Sequence, residues 1–212
     1  MQRLLSIIIP TIPARQKSFN RLLDRLAPQL SDDIQLIYDS STDITIGKKR
    51  NIMMAQADAE YVCSIDDDDI VPIYYVNVIR QALQSKPDCC SLLGRMYDLQ
   101  RSIVYTMSHS IANTHPNYWI RHKNVYYKTP NHLNVIKSNI AKLIPFEDRS
   151  RGEDTSWAQN LFKTGKLKKE AIIQPILYYY LYNEQKSHSI EIDTNSFEFG
   201  GSNDQTIANR QP

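Results

Sequence analysis

The chain opens on an unbroken apolar stretch, Leu4-Leu5-Ser6-Ile7-Ile8-Ile9, stopped by Pro10. A continuous run of that length predicts a short strand buried on both faces. Phe19, Leu22, Leu23, Leu26 and Leu30 then recur at helical spacing, which predicts an amphipathic helix over 15–30. A second buried strand is expected from Ile34 to Tyr38, ending at Asp39, followed by the polar turn Asp39-Ser40-Ser41-Thr42-Asp43. Residues 47–57 read as a helix and Tyr61 to Ile65 as a third strand, with Asp66, Asp67, Asp68 and Asp69 directly behind it. Pro72 suits the first turn of the next helix, whose apolar face carries Val76, Ile79, Ala82 and Leu83. Ser91 to Leu93 reads as a fourth strand.

Residues 1–93 therefore alternate strand and helix. That pattern predicts an α/β, Rossmann-type, mostly parallel sheet with helices on both faces. In such sheets ligands bind beyond the carboxyl ends of the strands. Thr11, Asp39 and the aspartate run all fall at such ends, so three polar stations converge on one sheet edge. After residue 94 the texture is mixed α+β. Strand-like pieces occur at Ile103–Met107, Asn124–Tyr127 and His132–Ile136, a helix at Asp154–Lys163, and a strand region with a bend at Pro175 over Ala171–Tyr182. We expect one domain over 1–194, with halves 1–93 and 94–194, and a loose tail over 195–212 rich in Gly, Ser, Asn and Gln.

Composition changes this picture little. The 212 residues are 42% hydrophobic and 23% charged, ordinary for a globular chain. No apolar run approaches the roughly 18–20 residues of a membrane helix, and no secretory leader is evident. Three cysteines (Cys63, Cys89 and Cys90) make neither a disulfide framework nor a metal finger, which favours a reduced, cytoplasmic protein. The net charge is +2 but unevenly placed: residues 1–69 hold 8 Lys/Arg against 11 Asp/Glu, and residues 121–169 hold 11 against 4. The second stretch, with Arg121, Lys123, Lys128, Lys137, Arg149 and Arg151, could face an anionic partner or be a solvated surface.

Four adjacent carboxylates repel one another unless a cation relieves them. Oxygen-only ligands on a rigid sheet edge favour Mg²⁺, Mn²⁺ or Ca²⁺ over zinc, and Mg²⁺ and Mn²⁺ often take only one or two carboxylates and let phosphates supply the rest. Gly47-Lys48-Lys49-Arg50-Asn51 opens a predicted helix, a pattern that suits a phosphate or an exposed basic face equally. Gly152-Glu153-Asp154-Thr155 opens another, where the acids could serve the helix dipole or supply a general base.

Together these pieces resemble family 2 of the nucleotide-sugar glycosyltransferases, of GT-A fold. The matching residues are Ser6-Ile7-Ile8-Ile9-Pro10-Thr11, Asp39-Ser40-Ser41, Gly47-Lys48-Lys49-Arg50-Asn51 with Ala57, Tyr61 through Asp69, and Gly152-Glu153-Asp154, in the family's order over roughly residues 4–165. The resemblance implies a donor side built from Thr11, Asp39, Arg50, Asn51, Asp66, Asp67 and His132, with Asp39 near the uracil and Arg50 near the base or the phosphates. It implies Mn²⁺ or Mg²⁺ held by Asp68 and Asp66, with His188 a further ligand and Asp69 a further contact. It implies Asp154, beside Glu153, as the base of an inverting displacement. The Gln-x-x-Arg-Trp element of processive synthases is missing, so one sugar per encounter is expected.

The donor class implied is a UDP-sugar, UDP-glucose favoured. The acceptor is a glycan or lipid-linked glycan, or DNA carrying 5-hydroxymethyl pyrimidines as some phage enzymes use. Three alternatives stand beside this reading. A nucleotidyltransferase would share the sheet, but Pro10-Thr11-Ile12-Pro13 is no glycine-rich phosphate loop. A non-catalytic metal- or glycan-binding module would bind metal without nucleotide diphosphate. An aspartate-nucleophile phosphatase would want its aspartates after the first strand.

Overall fold

The computed structural model describes residues 3–98, 100–115 and 120–182. It has two sheets. The first draws β1 (Leu5–Pro10), β2 (Ile34–Asp39) and β3 (Tyr61–Ser64) into a parallel core with β1 central. Ile7 and Ile9 point to one face and Ile8 to the other, and all are fully buried. The first face packs α1 (Gln16–Leu26) through Phe19, Leu22 and Leu26, and α3 (Tyr75–Leu83) through Val76, Ile79 and Leu83. The second packs α2 (Ile46–Gln56) through Met53 and Met54, and α5 (Glu153–Thr164) through Trp157 and Leu161. Alternation along a strand buried on both sides thus assigns helices to both faces.

Three expectations need correction. β2 is an edge strand rather than a buried one, and Tyr38 is 57% exposed. Pro72 lies ahead of α3, where its carbonyl accepts from the Tyr75 amide at 3.1 Å. The fourth strand is two strands in two sheets. β4 (Cys89–Cys90) ends the crossing of the first sheet, and β5 (Leu92–Asp98) begins the second. Nor does β4 lie beside β3. The short β9 (Ile136–Lys137) inserts antiparallel between them, and β10 (Glu170–Ala171) adds parallel to β4 at the edge. His132 therefore precedes the strand in a turn instead of heading it.

The second sheet runs β11 (Tyr178–Tyr182), β5, β6 (Ile103–His109), β8 (Val125–Lys128), β7 (Ile120–His122). Its register puts Met96 beside Tyr105 and Tyr180, and Met107 beside Tyr126, on one face. The two sheets are joined at the aspartate turn. Tyr178 donates its hydroxyl to Asp69 at 2.8 Å, the Leu181 amide donates to the same carboxylate at 3.1 Å, and Ile70 bridges to Tyr179. The cysteines are free and buried, with Cys89 and Cys90 in opposite cores, and burial pushes the Cys63 thiol up to about 12. Among the described residues no helix is long and apolar enough to cross a membrane.

Candidate functional site

The aspartate run alternates like the strand it follows. Asp66 and Asp68 face a cavity, while Asp67 is 1% and Asp69 0% exposed. Asp67 accepts from the Thr11 hydroxyl at 2.8 Å and from Arg15 at 2.7 Å. Burial raises its pKa, and Arg15 opposes that rise. Asp69 is the tie to the second sheet. Asp67 still borders the first cavity described below and Asp69 the second, but both engage their carboxylates with protein partners, whereas Asp66 and Asp68 are the more exposed of the run.

Asp66 accepts from Arg50 at 2.7 Å, and His132 Nε2 stands 3.6 Å from its other oxygen. Burial raises the Asp66 pKa, but Arg50 and His132 outweigh it and hold the carboxyl well below its usual range. Arg50 is itself buried, donates to Ser64 Oγ, and lies 3.5 Å from Glu153. Its charge is shared with Asp66 and Glu153, and its side chain borders the cavity at the carboxyl edge of β1–β3. Glu153 is likewise buried against Arg50, leaving Asp154 as the carboxylate of the pair that opens to both cavities described below.

The helix-start expectation at 47–51 also changes. A Cβ on Gly47 would lie 1.8 Å from the Glu147 carbonyl oxygen, and the Gly47 amide donates to Arg149 O at 3.1 Å. Thr45 caps the Lys48 amide. The helix end is thus closed by the 147–149 segment rather than open to a phosphate. Asn51 exchanges two 2.8 Å hydrogen bonds with the Phe146 backbone and fixes the same segment. Of the three consecutive cations, Lys48 is exposed, whereas Lys49 is buried and donates to the Thr11 and Ser41 carbonyls, both at 2.6 Å. Burial lowers the Lys49 pKa against the pull of Asp39 and Asp67. Asp39 accepts from the Ser41 amide and hydroxyl at 2.8 and 2.6 Å, so it holds Ser41 on the cavity wall instead of forming that wall itself.

Two cavities result. One, about 570 Å³, lies at the carboxyl edge of β1–β3 between Thr11, Arg15, Ser41, Lys49, Asp68 and Gly152. The other, about 720 Å³, lies against the second sheet and is lined by Met96, Tyr105, Met107, Tyr126, Lys128 and Tyr182. Asp66, His132, Asp154 and Tyr180 line both. Gly152, at φ +74°, makes the turn into α5 that brings Asp154 to this wall. Burial would raise the Asp154 pKa, but His132, Lys128 and Arg50 lower it below the ordinary carboxylate value. His132 is held by a buried asparagine turn. Asn131 accepts from the Leu133 amide at 3.1 Å, Asn134 donates to Cys90 O at 2.9 Å, and the His132 carbonyl accepts from the Ser64 amide at 2.8 Å. Among the described residues neither ring nitrogen of His132 has a hydrogen-bond partner, and Nε2 has only the 3.6 Å contact with Asp66.

The cations of the basic stretch 121–169 have different settings: Lys137 pairs with Asp88, Arg149 with Glu147, Arg151 lines the first cavity, and Arg121 and the buried Lys128 line the second. His188 and the tail 195–212 lie outside the described residues, as do residues 183–194 of the expected domain. Arg15 and Lys49 are the site residues that sequence reasoning missed. Lys49 was hidden inside a basic triplet whose members have three different fates, and nothing in the local pattern marks Arg15.

The donor set has a definite chemistry. Among the described residues no group of three or more His, Cys, Asp or Glu side chains is arranged to hold a metal ion. Asp68 and Asp66 fit the other kind of Mg²⁺ or Mn²⁺ site, where one or two carboxylates suffice and substrate phosphates complete the shell. Arg15, 3.6 Å from Asp68, already places a positive charge at that point.

A parallel core carrying carboxylates at its carboxyl edge, with a second sheet closing over them, is the GT-A-like fold expected from the sequence. Solved structures agree. S. aureus TarS residues 1–349 in complex with UDP superposes with TM-score 0.62 at 15% identity, over 84% of this chain and 60% of that one. The same TarS segment with UDP-GlcNAc gives TM-score 0.62 at 14% identity, over 92% and 63%, and without ligand 0.60 at 14%, over 84% and 60%. The present chain thus spans under two thirds of those TarS chains. No protein-family model matches the chain, and no curated protein matches it in sequence. At such identity the likeness establishes the fold.

Proposed function

We propose that the protein is an inverting, non-processive glycosyltransferase that moves a hexose from a UDP-sugar to an acceptor hydroxyl. The observation that carries this reading is the shared wall: two cavities of ligand size, about 300–1,000 Å³ for typical sites, meet at Asp154, Asp66, His132 and Tyr180. In this reading the nucleoside lies between Thr11, Ser41 and Lys49, and the diphosphate lies near Asp68. Asp68, with Asp66, would hold Mn²⁺ or Mg²⁺, which when bound supplies positive charge to the leaving diphosphate. Asp154 takes the proton from the acceptor hydroxyl as it attacks the anomeric carbon from the face opposite the leaving group, the geometry that inverting sugar chemistry uses. A carboxylate held ionised by Lys128, Arg50 and His132 is available as a base at neutral pH. The ring of His132, buried at the wall with Nδ1 unsatisfied among the described residues and Nε2 only 3.6 Å from Asp66, suits a hydroxyl of the transferred sugar.

For the acceptor, the tyrosine and methionine face of the second sheet favours a sugar ring, which stacks its C–H face on aromatics. The dispersal of the basic residues disfavours hydroxymethylated DNA. Calorimetry and thermal shift with UDP, UDP-glucose and UDP-GlcNAc, with and without Mn²⁺, test the donor. Metal-dependent stabilisation by a uridine diphosphate is the expected result, and none by any donor would sink the proposal in favour of a metal- or glycan-binding module.

A further inference from the structure

We propose that Arg15 is the resident counter-cation of the aspartate turn and sets how tightly that turn takes a divalent ion. The inference rests on the reading above for the use of a metal at Asp68. Arg15 ends a 3-10 turn (Pro13–Arg15) that follows β1, and it projects across to the turn after β3. A single guanidinium nitrogen, Nη1, lies 2.7 Å from Asp67 Oδ1 and 3.6 Å from Asp68 Oδ2. The other oxygen of Asp67 is taken by Thr11. Arg15 thus lies between a buried carboxylate and the cavity-facing one, and at 23% side-chain exposure it forms part of the cavity wall.

An isolated buried carboxylate is costly, and a guanidinium relieves it without any metal. The same charge opposes a second cation. Two unit charges about 4 Å apart interact by several RT even at an effective dielectric of about 20. An ion arriving at Asp68 therefore meets a neighbour already neutralised. Divalent binding to the nucleotide-free chain is weak by construction, and a diphosphate that brings two or more negative charges is what tips it. The turn would then take metal together with nucleotide and hold little of it between turnovers.

The test uses the full chain, Mn²⁺ alone and no nucleotide, with free Mn²⁺ read by electron paramagnetic resonance. Arg15→Gln keeps a hydrogen-bond donor for Asp67 and removes the charge; its Mn²⁺ dissociation constant is expected to fall at least tenfold. Arg15→Lys keeps the charge and is expected to stay within about threefold of the parent. Thermal melts without metal report whether each variant folds. Should Arg15→Gln not fold, Arg15→Gln in an Asp67→Asn background is compared with Asp67→Asn alone, where the same tightening is expected. Equal affinities with and without the Arg15 charge, or no Mn²⁺ binding by either, overturn the inference. Arg15-dependent Mn²⁺ binding in a chain that never uses a UDP-sugar would instead leave it standing and remove the glycosyltransferase reading.

Discussion

Asp154 differs from its neighbour Glu153 by one position and by everything that surrounds it. Glu153 is packed on Arg50, while Asp154 reaches the wall between the cavities with Lys128, His132 and Arg50 around it. Asp154→Asn is expected to lower kcat by about 10²–10⁴ while UDP affinity, read by calorimetry, stays within about twofold. The sign of its pH dependence follows from the depressed pKa. The base works ionised, so activity is lost only as pH falls through the folded value, below the ordinary aspartate value of about 3.9. With metal saturating, kcat/KM should therefore show no acid limb due to this group above about pH 5. Lys128→Met removes one of the cations that hold the value down, and the limb should move up towards neutrality. A limb unmoved in that variant would disconnect Lys128 from the base. The convergence of Thr11, Asp39 and the aspartates on one edge was legible in the sequence, because strand ends are legible. Which aspartates face solvent was not. It depends on Thr11, Arg15 and Tyr178 arriving from 52 to 109 residues away.

At the scale of elements, the site depends on how the 145–152 segment is pinned to α2. Gly47 admits the Glu147 carbonyl where no side chain fits, Asn51 clamps Phe146, and Thr45 donates to Asp148 at 2.5 Å. Gly47→Ala must push the segment away, because the obstructing atom is backbone. We expect a loss of about 1–3 kcal/mol, as for overpacked sites, read as a lower midpoint in urea unfolding, together with reduced transfer because Asp154 follows the segment. Thr45→Ala should cost about 1 kcal/mol through its cap and displace less. β1, β3, α1 and α3 were legible because each buries an apolar run or face of the right period. The insertion of β9 between β3 and β4 was not, since a two-residue strand has no period and is positioned by contacts to the Cys89–Cys90 strand and the start of β3. The same holds for the chain's switch of sheets at Ser91, where one residue separates β4 from β5 and the apolar run continues through both.

At the scale of the whole molecule, the proposed function assigns donor and acceptor to different sheets, and that division is testable because the two cavities share only a wall. The turns after β2 and β3 and the helix α2 contribute Ser41, Asp68 and Lys49 to one cavity; the second sheet contributes Tyr105 and Tyr126, whose rings meet edge-on with centroids 5.1 Å apart, and Arg121 over Tyr105 at 5.9 Å. Tyr126 touches only the second cavity. Tyr126→Ala should therefore raise the acceptor KM about fivefold to a hundredfold, the span of about 1–3 kcal/mol for one stacking ring, and leave UDP affinity unchanged. Asp68→Ala should do the reverse, abolishing metal-dependent UDP binding. The acceptor arm is read by incubating the chain and labelled donor with a broad glycan array and with hydroxymethylated duplex DNA at two salt concentrations. A sugar-ring acceptor predicts label on glycans, weak salt dependence and loss of label in Tyr126→Ala. A polyanion steered by dispersed cations predicts label on DNA that falls steeply between low and physiological salt, as counterion release requires. The second outcome would mean that Arg121, Lys128 and Arg151 act together across the wall despite lining different cavities, and that the tyrosine face receives a base rather than a sugar.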